Sequence, residues 1–282
     1  VYRRLRGEVP FTFYEVSLLS QSLGISLDQI VGTNRAEGAV FNLNVSNNMS
    51  QMESYHDILK RYHKLFTFAK EDPKSVLSAA CNIVPFTFYS PYERLTKFRL
   101  CRWMHQNNGM KITASMSDIV VTEKILESQR KLMQECRQVP STYTILDNNI
   151  FQSLVREIKY FAGLNMLSDD DIEVMKQELN RLLDEMEQIA ARGEYPNGNK
   201  VYLYLSNINF EATYTFLEKG SFQLCMFRLY AINYMDSQHP EICRAQKEWI
   251  QSLKRYSTLI SQSGEIQRMI FFTKQREIVD TL

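Results

Sequence analysis

The sequence predicts a mainly α-helical (α+β) protein: a series of helices carrying one small antiparallel sheet near residues 200–232. Three observations predict it. Glycine and proline are scarce, 10 and 7 in 282 residues, which disfavours a turn-rich all-β fold. Most of the chain repeats apolar residues every three or four positions, the period of a helix with one buried face. Only near 200–232 does the pattern change, to short Tyr- and Phe-rich runs separated by Asn-rich or Lys219-Gly220 turns. Those runs read as three antiparallel strands over 200–206, 212–217 and 222–232.

The chain opens in the middle of a helical pattern, so a longer parent protein is expected. Val1 to Arg6 reads as the last turns of a helix stopped by Gly7. Thr12-Phe13-Tyr14-Glu15 is a capping box before Val16, Leu19 and Leu23. Ser26-Leu27-Asp28-Gln29 is a second one, opening a short helix that closes at Gly32. Residues 33–48 are Asn-rich and without period, which predicts a linker.

Beyond the linker the spacing predicts helices over 49–72, 74–82, 92–106, 118–137, 147–162 and 168–191. The Phe86–Tyr89 segment, between Pro85 and Pro91, reads as extended or loop. Ser168 caps the clearest helix, whose Asp169, Asp170 and Asp171 offset the helix dipole at its first turn. After the strands, two helices over 240–261 and 265–280 are separated by Gly264. Ile242, Ala245, Trp249, Leu253, Tyr256 and Ile260 form a stripe suited to a helix–helix seam, inside the domain or across a dimer.

Composition excludes several classes. A net charge of +1 argues against a globally basic nucleic-acid binder and leaves room for a local basic patch. The five cysteines are odd in number and contain no C-x-x-C, which points to buried thiols in a reducing compartment. No apolar run approaches the roughly 18 residues of a membrane span. His56 and His63 share a helix face without a completing ligand, so no metal site is expected. No nucleophile elbow, phosphate-binding glycine loop or zinc-protease motif is present, so neither an enzyme nor a cofactor is expected.

Residues Val1-Tyr2-Arg3-Arg4-Leu5-Arg6-Gly7-Glu8, Pro10-Phe11-Thr12-Phe13-Tyr14-Glu15 and Leu23 to Gly32 together resemble the second half of a Cro/C1-type (XRE-like) helix-turn-helix. The remainder is similar in flavour to effector regions of such regulators from Bacteroidetes. The resemblance covers 1–32 and lacks the family's first two helices. It implies a cytoplasmic bacterial transcriptional regulator with a partial helix-turn-helix at 1–32, the linker at 33–48 and a helical effector or oligomerisation region at 49–282. A sub-boundary falls near 193–199. DNA is the implied partner through the full-length parent, with a homodimer and a small-molecule or peptide effector beside it. Arg3, Arg4 and Arg6 at the end of the recognition helix are then expected to meet phosphates, with the helix N-terminus at Thr12. The alternative is a helical scaffold that binds peptide or protein partners.

Aromatic residues supply the remaining candidates. Phe86, Phe88, Tyr89, Trp103, Tyr202, Tyr204 and Tyr214 are expected to line a ligand or partner groove, since such sites are mostly apolar. Core packing competes with that reading for each of them.

Overall fold

The computed structural model describes residues 2–23, 39–44, 51–106 and 114–282. The second capping box and the short helix closing at Gly32 lie outside the described residues, as does much of 33–48. The chain divides into two compact units, Val1–Phe41 and Asn42–Leu282.

In the first unit, α1 (Tyr2–Leu5) is followed by α2 (Phe13–Leu23). Gly7 turns the chain between them at φ +76°, a conformation that disfavours side chains with a Cβ. The capping box at the start of α2 forms: the Glu15 N–H donates to Thr12 Oγ1 at 3.3 Å, and the Thr12 N–H donates to Glu15 Oε2 at 2.8 Å.

The second unit corrects the expected fold class. It is built on one eight-stranded mixed sheet in the order β1-β7-β6-β5-β2-β3-β4-β8, and the described residues are 55% helix and 18% strand. The strands are β1 (Asn42–Asn44), β2 (Val76–Cys81), β3 (Ser141–Leu146), β4 (Lys200–Ser206), β5 (Tyr214–Lys219), β6 (Phe222–Tyr230), β7 (Asn233–Ser237) and β8 (Ser257–Leu259). β2, β3 and β4 are parallel neighbours, and every other pairing is antiparallel.

The helices are α3 (Gln51–Lys70), α4 (Phe86–Tyr89), α5 (Glu93–Gln106), α6 (Glu123–Arg137), α7 (Ile150–Gly163), α8 (Asp169–Arg192), α9 (Pro240–Arg255) and α10 (Glu265–Asp280). Parallel strands need long crossovers, and α4 to α6 carry the chain from β2 to β3 while α7 and α8 carry it from β3 to β4. Seven of the described helices pack on the face of the sheet that carries Leu77, Leu203, Leu205 and Leu217, and form the larger core. α9 covers the other face, over Ala80, Ile145 and Phe216.

The corrections have physical causes. Val76-Leu77-Ser78-Ala79-Ala80-Cys81 is an apolar run buried from both sides, which does not alternate as a half-exposed strand does and so passes for a short helix. The expected helix over 74–82 is therefore β2. Ser141–Leu146, rich in β-branched and aromatic residues, falls outside every element expected from the spacing and is β3. The three-stranded antiparallel sheet exists only in part. β5 and β6 are a hairpin, but β4 lies on the far side of β2, paired in parallel with β3. Asn42–Asn44, inside the expected linker, pairs with β7 as an edge strand. The helix expected over 240–261 ends at Arg255, and β8 follows. Phe86–Tyr89 is a helical turn rather than an extended segment.

Other elements form as their chemistry dictates. Ser168 caps α8, with the Asp171 N–H donating to Ser168 Oγ at 3.1 Å and the Ser168 N–H donating to Asp171 at 3.0 Å. Gly193 ends the helix at φ +67°. On α9 the face turned to the sheet carries Cys243, Gln246, Ile250 and Leu253. Trp249, 37% exposed, packs at the edge of this face against Phe210 and Tyr214, while Tyr256 is exposed just past the helix end and Ile260 lies further on, buried.

Candidate functional site

The sheet face under the helices contains a trough, and its origin is in the strand register. Ala79 on β2 pairs with Thr144 on β3 and with Thr215 on β5. Three small side chains thus sit in one row across neighbouring strands, all on the same face. Rows on either side carry Leu77 with Leu217, and Cys81 with Leu146. The helices rest on the larger side chains, and a cavity of about 110 Å³ remains above the small ones. That is room for several waters or a small ligand, since one water needs about 10–15 Å³ by this measure.

The wall and roof come from the helices. Tyr62 and Phe66 of α3, Pro85 to Phe88 around α4, and Leu132 of α6 line the cavity. Apolar and aromatic side chains dominate, with the hydroxyls of Thr87, Thr142, Thr144, Thr213 and Thr215 among them. Cys81 and Cys136 also face it, and burial pushes both thiols up to about 12, so they are neutral.

Two arginines enter this apolar space. Arg99 of α5 is 6% exposed, and its guanidinium lies 3.8 Å from the centroid of the Phe86 ring. Its Nη1 donates to the Tyr55 hydroxyl at 3.5 Å, while its Nε, fully buried, has no partner among the described residues. Arg228 of β6 reaches the cavity from the sheet. It is half-buried as a whole residue, yet its charged end is enclosed enough that burial, and then the Arg99 cation, hold it below the ordinary arginine range. Among the described residues neither arginine makes an ion pair with a carboxylate. Arg102, one turn of α5 further on, is by contrast paired with Glu157.

Local backbone geometry aims Arg228. The β6–β7 register slips between Arg228 and Tyr230, a bulge of the kind found beside sites where a side chain must be redirected. Ala231 in the following turn is held at φ +42°, where a residue with a Cβ is strained. Asn233, 1% exposed, lines the same cavity, and its Oδ1 has no partner among the described residues.

The expected groove residues do not form one site. Phe86 and Phe88 line the cavity. Tyr89 and Trp103 are on the same side of the sheet but inside the core, 5% and 0% exposed. Tyr202, Tyr204 and Tyr214 lie on the opposite face, with α9. There Tyr202 stacks on Tyr143 at 4.5 Å, Lys254 Nζ sits 4.9 Å from the Tyr204 ring, and Tyr214 meets Trp249 at 4.6 Å. Alternation along each strand explains the split: Tyr202 and Tyr204 point opposite to Val201 and Leu203. Arg99 and Arg228, which distinguish the cavity, are not among the residues that sequence reasoning selects. Their signal is weak, an arginine inside the apolar stripe of α5 and another inside an apolar strand.

In the first unit, Arg3 and Arg6 have side chains 79% and 71% exposed, and both are ion-paired at the surface with Glu8, at 3.3 and 3.8 Å. Arg4 is turned inward: its Nη1 donates to the Pro10 carbonyl at 2.7 Å and to the Glu15 carboxylate at 2.5 Å. The Thr12 hydroxyl donates to the same carboxylate at 2.8 Å. The Thr12 N–H and hydroxyl, with a smaller contribution from Arg4, outweigh burial and hold Glu15 below the ordinary glutamate range. A carboxylate thus already occupies the start of α2.

Among the described residues no group of three or more acidic, His or Cys side chains is placed to hold a metal ion, and no helix is long and apolar enough to cross a membrane. The five cysteines are free and buried, with Cys225 Sγ 3.7 Å from Cys243 Sγ. A search of protein-family models, of curated proteins and of solved structures finds no match to this chain.

Proposed function

We propose that this chain is the C-terminal part of a bacterial, cytoplasmic DNA-binding transcriptional regulator of Cro/C1 type, and that its second unit is an effector domain. The observation that carries the reading lies in the first unit, where helices α1 and α2 are joined by a tight turn and Arg3 and Arg6 are exposed at the end of α1. Cations so placed supply salt-dependent, sequence-independent affinity for the phosphate backbone. Arg4 and Thr12 take a different part from the one their sequence suggests. They fix the angle between α1 and α2 through Glu15 and leave the phosphates to Arg3 and Arg6.

The effector enters the cavity between the sheet and its helical cover, where the walls are apolar and a few polar groups converge. The chain is then a sensor, not an enzyme. The test is a fluorescence-anisotropy titration of the full-length gene product against DNA upstream of its own gene, at two salt concentrations. Tight binding that weakens with salt, and weakens further in an Arg3→Ala, Arg6→Ala variant, supports the regulator. No binding at either salt overturns it.

A further inference from the structure

A buried cation without a counter-charge is expensive, and proteins normally pair it. Arginine does not escape by losing its proton, because its pKa stays above about 12 in proteins. Arg99 and Arg228 share one cavity, raise each other's cost, and face no carboxylate among the described residues. The tyrosines beside the arginines do not serve as counter-ions, since burial raises both Tyr62 and Tyr234 above the ordinary phenol range.

We propose that the cavity is the binding site of a small organic acid, whose carboxylate is held by Arg99 and Arg228 and whose apolar body lies on the trough formed by Thr144, Ala79 and Thr215. The chemistry fits in three respects. Two guanidiniums give a carboxylate more donors than it can use, in the fork geometry that suits its two oxygens. The Phe86 ring fixes the Arg99 guanidinium in place before a ligand arrives, which lowers the ordering cost of binding. The row of small residues makes the space for an apolar body, and Phe66 and Leu132 close over it.

This inference deepens the effector reading of the same cavity, but its test contains no DNA, so either can fail while the other stands. The probes are benzoate, hexanoate and inorganic phosphate, added to the 282-residue chain and followed by thermal unfolding and calorimetric titration. Benzoate or hexanoate is expected to raise Tm by about 3 to 6 °C at ten times its dissociation constant. The rise is expected to vanish in Arg99→Met and in Arg228→Met. Should an arginine variant fail to fold, Ala79→Leu decides, because it leaves both cations in place and fills the trough: it is expected to abolish the shift as well. The proposal is overturned by no shift with either acid, by a shift with phosphate alone, or by a shift that survives in a folded arginine variant or in Ala79→Leu.

Discussion

Arg99 of α5 and Phe86 of α4 are stacked, with the guanidinium carbon 3.8 Å from the ring centroid. The contact joins the helical turn after β2 to the helix that roofs the cavity. Phe86 meets Tyr89 edge-on as well, at 5.4 Å. Phe86→Ala removes both contacts and enlarges a space already there. It is expected to cost about 3 kcal/mol, the low end for a buried phenylalanine, because part of the ring already borders a void. Urea unfolding measures it, and a loss under about 1 kcal/mol would mean that Phe86 does not anchor the roof of the cavity.

Arg228→Met should act in the opposite direction on the empty protein. A buried charge without a partner is replaced by an apolar side chain of similar length, a change that is neutral or stabilising by about 1–4 kcal/mol even for paired charges. A higher urea midpoint with an unchanged slope is the expected result. A fall of more than about 1 kcal/mol would show that Arg228 has a favourable partner and is structural.

Asp171 gives a pH dependence with a definite sign. Burial by itself would raise its carboxyl, but the Ser168 N–H and hydroxyl and the Arg94 guanidinium outweigh burial and hold it below the ordinary aspartate value. A depressed folded pKa means that the contribution is complete above the unfolded value of about 4 and is lost as the pH falls through the lower folded value. Asp171→Asn is expected to cost about 1–2 kcal/mol at neutral pH. The gap between variant and parent should narrow in urea titrations as the pH drops below about 4. A gap constant with pH would show that the Asp171 charge contributes nothing to stability.

Gly264 precedes α10 at φ +64°, and a Cβ there would stand 2.3 Å from the backbone carbonyl oxygen of Leu259. That oxygen belongs to the edge strand β8, so relief requires moving either β8 or the start of α10. Gly264→Ala should cost more than the ~1 kcal/mol of the left-handed conformation alone, with a lower Tm by thermal unfolding as the readout.

Arg3→Ala and Arg6→Ala should each reduce the slope of log K against log salt by about 1 in the DNA titration, with little change in sequence preference. Arg4→Ala should instead lower the stability of the first unit, because Arg4 bridges the Pro10 carbonyl and Glu15. A loss of sequence preference on removing Arg3 or Arg6 would mean that they read bases.

Much of the helical framework is legible in the sequence. The Ser168 cap, the stripe of α8 and the Gly193 stop lie close together in the chain, so the interactions that define them are local. The same holds for the capping box of α2 and for the β5–β6 hairpin with its Lys219-Gly220 turn. The sheet is not legible in the same way because its pairings are not local. β2 meets β5 more than a hundred residues later, and neither carries a sign of the other. Buried on both faces, Val76–Cys81 also lacks the alternation that marks a strand exposed on one side.

The sequence alone determined roughly where most helices start and stop, that the cysteines are buried, and where the hairpin turns at Lys219-Gly220. Each depends on neighbours within a few positions. Only the tertiary structure decided which strand lies beside which, that Ala79, Thr144 and Thr215 fall in one row, and that Arg99 and Arg228 line the same cavity. Strand register and helix packing set those distances, and burial then gives two otherwise ordinary arginines their significance, because an unpaired cation matters only once it is out of water.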